Sequence, residues 1–125
     1  EIIRLSREKA FGPVKFMETS FGFRIGDPTQ WRMKKAMAGG GPLMDVGIYA
    51  IQASRYVTGE EPSYVTAQFS PKTEPQKFKD VEETLFWQFQ FPGGAVANGT
   101  TSYTANVERL FAAYEKGFVE LSPAY

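Results

Sequence analysis

"ETLFWQFQFPGGAVANGTTSY", residues 83–103, alternates apolar and polar side chains as far as Pro92-Gly93-Gly94, then begins a second run of small and hydroxylated residues. Leu85, Trp87, Phe89 and Phe91 share one face of an extended chain and Phe86, Gln88 and Gln90 the other, a period of two that no helix satisfies. Pro-Gly-Gly between the runs predicts a tight return, so the stretch reads as two antiparallel strands with one apolar face. "YVTAQFS" (64–70), "RLFAAYE" (109–115) and "GFVELS" (117–122) have the same character, and Lys116-Gly117 supplies a second tight connection. The second half of the chain therefore reads as an antiparallel meander, and its apolar face needs a cover.

Residues 42–58 supply it. Pro42 suits the first position of a helix, where a missing N–H costs nothing, and Thr58-Gly59 ends it. At 100° per residue Leu43, Val46, Gly47, Ala50, Ser54 and Val57 form one arc, small and apolar enough to lie close on a sheet. Upstream, "EIIRLSREKAFGP" (1–13) predicts a short amphipathic helix stopped by Gly12-Pro13, and "VKFMETSFGFR" (14–24) a strand. "GDPTQWRMKKAMAGGG" (26–41) predicts a short helix around Trp31 to Met37 that loosens at the glycines, and "PKTEPQKFKD" (71–80) is the expected flexible loop. The pattern is α+β: an open, mostly antiparallel sheet with helices packed on one face.

Opposite the apolar arc of the 42–58 helix stand Asp45, Tyr49, Gln52 and Tyr56, an acceptor, an amide and two phenols able to hydrogen-bond a polyol. Asp45 on spacing alone reads first as a first-turn acid favoured by the helix dipole, worth about 0.3–1 kcal/mol. Tyr49 and Tyr56 read equally as amphipathic rings at the margin of a core. The glycines at 39–41 could cradle a phosphate, but the lysine of a P-loop is missing and no G-x-G-x-x-G occurs. Asn98-Gly99-Thr100 matches a glycosylation acceptor but lies in a predicted strand, and carries little weight.

Composition narrows the function further. With 14 basic and 14 acidic residues, net charge zero and no basic run, the electrostatic footprint of a nucleic-acid or anionic-membrane binder is missing. The absence of Cys and His excludes thiol nucleophiles, disulfides, a His-based triad and the usual zinc sites, and no metal site is expected. A small molecule or another protein is the expected partner. The 125 residues suit one compact domain, yet the chain begins without Met and already in a helical pattern, as a piece of something longer would.

"DPTQWRMKKAMAGGGPLMDVGIYAIQASRYVTGEEP", "VEETLFWQFQFPGGAVANGTTSY" and "KGFVELSPAY" together resemble the carboxy-terminal domain of the glucose–fructose oxidoreductase / inositol dehydrogenase / MocA (Gfo/Idh/MocA) family, nearest its glucose–fructose oxidoreductase-like branch. The resemblance implies an open mixed sheet over residues 1–125. It also implies a parent with an amino-terminal Rossmann domain, absent here, that binds NAD or NADP. Gly39, Gly40, Gly41, Asp45, Gly47 and Tyr49 stand at the family's second active-site motif, where many members carry His in place of Tyr49. Its Glu-Lys-Pro motif, whose lysine lies beside the substrate carbonyl, has no counterpart in this chain.

The function so implied is the substrate-binding half of an NAD(P)-dependent oxidoreductase acting on a sugar, polyol or related cyclic alcohol, with the isolated chain inactive. Tyr49 would move the proton on the substrate oxygen, a task for which a free phenol, with a pKa of about 10, needs a neighbouring cation. Asp45 would hold a substrate hydroxyl or orient the charged cluster, with Gln52, Arg32 and Tyr56 as further candidates for substrate contact. The alternative is a non-catalytic module: Val96, Asn98, Thr100 and Ser102 alternate with Ala95, Ala97, Gly99, Thr101 and Tyr103 on a flat sheet, and the resemblance implies a homo-oligomer formed through that sheet.

Overall fold

The computed structural model describes residues 1–125. Six strands form one sheet: β1 (Val14–Gly22), β2 (Tyr64–Phe69), β3 (Thr84–Gln90), β4 (Val96–Ser102), β5 (Val107–Tyr114) and β6 (Gly117–Leu121). Helix α1 (Ile2–Arg7), a 3-10 turn Trp31–Met33, α2 (Lys35–Ala38) and a π-helical segment Leu43–Gly47 that runs into α3 (Ile48–Thr58) make up the rest. The α+β reading and the open sheet with a helical cover are what the structure has.

β3 is buried at every second residue, and Leu85, Trp87, Phe89 and Phe91 join Ala97, Met17, Leu110 and Ala112 beneath Ala50 and Val57 of α3. Each large side chain removed from water there contributes about 1.5–3 kcal/mol. Trp87 lies flat across Gly99 of the next strand: a Cβ on that glycine would stand 2.1 Å from the indole. The strand glycine is thus the floor of the largest core ring.

The strand order is β2-β3-β4-β1-β5-β6, with β1 parallel to β4 and every other pair antiparallel. The uninterrupted meander expected from the sequence is therefore corrected: β4 and β5, consecutive in the chain, are separated by β1. Met17 and Thr19 are wholly buried, which an edge position would not allow. Alternation specifies which way a strand faces, whereas its neighbours depend on contacts distant in sequence.

Residues 26–41 form two short pieces rather than one helix, because Lys34 between them is extended (φ −113°, ψ 108°). The 71–80 stretch is docked: Phe78 is wholly buried with Ile25, Met33, Val81 and Tyr103 in a second small core. Thr73 donates from its backbone N–H (2.6 Å) and its hydroxyl to the buried Glu83, and the Lys77 ammonium donates to the Ile25 carbonyl. A charged, proline-bearing composition hid the one ring that anchors the segment. The far face of the sheet has no helix on it and exposes Phe16, Phe86 and Phe118.

Candidate functional site

Construction of the site begins at the glycines. Gly39 ends α2 in the left-handed conformation (φ +81°), which glycine adopts without a Cβ penalty. Gly41 is required for a different reason: a Cβ there would stand 2.5 Å from the main-chain oxygen of Glu82. That approach lets the Glu82 carboxylate accept from the N–H of Gly41 (2.8 Å) and of Leu43 (3.3 Å), closing the start of the helix with a negative charge. Gly47 brings the helix onto the sheet, since its Cβ would meet Thr101 Cγ2 at 3.1 Å. Thr101 in turn donates to Phe21 O (2.8 Å) and Pro42 O (3.2 Å), fastening β4 to β1 and to the helix start.

Asp45 lies in the π-helical segment, where the N–H of Ile48 reaches back five residues to Leu43 O. Such insertions are over-represented at functional sites. The Oδ2 atom of Asp45 accepts two bonds, from Arg32 Nε (2.8 Å) and from the hydroxyl of Tyr103 (2.8 Å). Burial, and next the hydrogen bond to Asp45, push the Tyr103 phenol well above its ordinary range, so it remains a donor across the working pH span. Tyr49, one turn on, is 52% exposed and makes no hydrogen bond to Asp45; its ring leans on Phe21 at 5.7 Å, and Phe21 stacks on Tyr125 at 5.0 Å.

Asp45, Tyr49, Gln52 and Tyr56 border one cleft of about 640 Å³, closed on the sheet side by Phe21 and Tyr125. The structure thus brings together four of the five residues the helix arc and the loop before it had suggested. Arg32 does not border the cleft: its Nε is committed to Asp45 and its guanidinium lies over Trp31 at 4.6 Å. Gln52 is held in place by the guanidinium of Arg55, to which its Oε1 accepts. Tyr103 and Glu82 were not singled out from the sequence. Tyr103 was legible as an inward-facing residue of the Ala95–Tyr103 alternation, whereas nothing local to Glu82 points to a helix forty residues earlier. No group of three His, Cys, Asp or Glu side chains that could hold a metal occurs, and no helix is long and apolar enough to cross a membrane.

The helix start does not suit a dinucleotide phosphate. The N–H groups that would cradle it are already bound to the Glu82 carboxylate, whose charge would repel it. The parallel pair β1/β4 is not a βαβ unit with a glycine-rich turn.

Comparison with known proteins adds the relatives. Residues 1–120 match the GFO/IDH/MocA C-terminal domain. The crystal structure of aldose–aldose oxidoreductase from Caulobacter crescentus, complexed with glycerol, superposes with a TM-score of 0.95 at 48% identity, over 99% of this chain and 37% of that one. D-xylose 1-dehydrogenase [NADP(+)] of Haloarcula marismortui is 31% identical over 81% of this chain and 28% of its own length. Trans-1,2-dihydrobenzene-1,2-diol dehydrogenase of Xenopus laevis is 42% identical over 54% of this chain and 20% of its own length. The chain therefore spans about a third or less of these relatives.

Proposed function

Because the chain belongs to the GFO/IDH/MocA family, as its C-terminal domain, we propose that residues 1–125 are the substrate-binding domain of an NAD(P)-dependent oxidoreductase acting on a sugar, polyol or related cyclic alcohol. The observation that carries this reading is the convergence of Asp45, Tyr49, Gln52 and Tyr56 on one cleft that runs along the helix. The names of the relatives, an aldose oxidoreductase, a xylose dehydrogenase and a diol dehydrogenase, support the substrate class. The cofactor belongs to a Rossmann domain elsewhere in the parent, since the helix start here is already occupied by Glu82.

When bound, the nicotinamide supplies or receives the hydride. The work of this chain is to hold the hydroxyls and to move a proton. Asp45 Oδ2 is bound on two sides by protein donors, and Oδ1 has no protein partner, so Oδ1 is the acceptor offered to a substrate hydroxyl. The half-exposed phenol of Tyr49 exchanges its proton with the reacting substrate oxygen, and the apolar flank of Phe21 and Tyr125 receives the carbon side of the ring. In the full-length parent, Tyr49→Phe should lower turnover by about 10²–10⁴-fold with little change in melting temperature. Asp45→Asn should weaken substrate binding or turnover and leave cofactor binding unchanged. Near-normal steady-state turnover of Tyr49→Phe, at a pH where the parent is active, would dismiss the phenol as acid or base.

The uncovered face of the sheet favours a second role for the same domain, self-association. Phe16 packs beside Phe111 (6.0 Å), and Phe111 stacks on Phe118 (5.6 Å), next to the partly exposed Val96 and Thr100. Arg109, paired with Glu18 and Glu120, lies among these rings, so the face combines exposed apolar area with a charged cluster, a mixture suited to association.

A further inference from the structure

Two residues outside the cleft touch Asp45, and they differ in how firmly they are held. Arg32 sits on a three-residue 3-10 turn, its side chain about one-third exposed. Tyr103 is wholly buried; its ring is fixed against Phe23 (5.1 Å) and enclosed by Ile25, Met33, Phe78 and Val81. The hydroxyl is the polar tip of that small core, and its partner is Asp45 Oδ2 at 2.8 Å. A buried phenol left unpaired is costly, so this O–H is committed to one direction.

We propose that Tyr103 is a positioning residue for the substrate site: its hydroxyl fixes the rotation of the Asp45 carboxylate so that Oδ1, the oxygen without a protein partner, is presented to a substrate hydroxyl. This rests on the reading of Asp45 as the residue that binds substrate. An aspartate with two equivalent free oxygens rotates about its last bond at little cost. Two donors on one oxygen remove that freedom, and the rigid one of the two is Tyr103. The same contact makes the docked 71–80 segment part of the site, because Phe78 packs on the ring that orients Asp45.

The test is a double-mutant cycle in the full-length parent, with NADP⁺ and with D-xylose, D-glucose and glycerol as trial substrates. Tyr103→Phe keeps the ring and removes one oxygen. It should raise KM about five- to tenfold, less than the full worth of one hydrogen bond to a charged group because Arg32 still holds the carboxylate, while kcat at saturation stays within about twofold. In an Asp45→Asn background the same substitution should have little further effect on KM, because Tyr103 acts through the carboxylate. An unchanged KM for Tyr103→Phe beside an impaired Asp45→Asn overturns the role of Tyr103 and leaves the substrate site standing. An equal KM effect in both backgrounds also overturns it. A Tyr103→Phe protein that does not fold would assign the phenol to the fold alone, and the proposal falls. Normal kinetics for Asp45→Asn would sink the substrate-site reading, and this inference with it.

Discussion

Glu82 closes the helix that carries the site, and its removal has a magnitude that can be worked from the contacts. The carboxylate accepts from Gly41 N at 2.8 Å and Leu43 N at 3.3 Å, and its charge faces the positive end of the helix. Losing a side-chain cap costs about 0.5–2 kcal/mol, and losing a negative charge at that end about 0.3–1 kcal/mol more. Glu82→Ala loses both, for a total of about 1–3 kcal/mol. Glu82→Gln keeps one acceptor oxygen, enough for the shorter bond to Gly41, and loses the charge and the longer bond, so it should cost about half as much.

Urea unfolding of the 125-residue chain at neutral pH measures both. The midpoint should fall in the order wild type, Gln, Ala, with the slope against urea unchanged. In thermal melts each kcal/mol corresponds to about 4 °C for a domain of this size. A loss below about 0.5 kcal/mol for Glu82→Ala, or a Gln variant as weak as the Ala variant, would refute the capping role. The helix start would then be held by Thr101 and the packing of Gly47 alone.

Further outcomes follow from other contacts. Gly99→Ala places a Cβ 2.1 Å from the Trp87 indole, inside the core, and should cost at least about 3 kcal/mol and abolish native near-ultraviolet circular dichroism at 37 °C. Val96→Lys with Thr100→Lys on the uncovered face should shift the parent toward monomer in sedimentation velocity, and an unchanged assembly would discard the sheet as its interface. The hydrogen bond from Arg55 holds the Glu61 carboxyl below its ordinary range, so its contribution is present at neutral pH and is lost as pH falls through the lowered value. Glu61→Gln should therefore flatten the acid limb of the stability profile, and a limb unchanged by the substitution would show the pair to be inert.

What could be read from the residues was largely what depends on near neighbours. The alternation of β3 and the 100° arc of the 42–58 helix were legible, because each is a property of a few consecutive residues. The insertion of β1 between β4 and β5 was not, since Met17 reads the same at an edge as in the middle until its partners are known. The docking of 71–80 was hidden for a related reason: five lysines and acids around a single ring disguise Phe78, and only the pocket made by Ile25, Met33 and Tyr103 calls for it.

At the site the division falls inside a single motif. Spacing put Asp45 and Tyr49 on one helix arc and the family resemblance gave them their expected roles, but neither could show that Asp45 is bound by Arg32 and Tyr103 while Tyr49 leans on Phe21, because a regular period does not include the π-helical segment. The motif's glycines look alike in sequence and do three different things: Gly39 turns the chain at positive φ, Gly41 admits the Glu82 backbone, and Gly47 admits Thr101. None of the three serves a phosphate, because the anion at this helix start is the protein's own. Glu82 is in effect the occupant that the glycine-rich start was suspected of awaiting. With the N–H groups engaged and the dipole answered, the proposed substrate site lies one turn along, at Asp45 and Tyr49, whose acceptor and phenol suit a neutral polyol better than an anion.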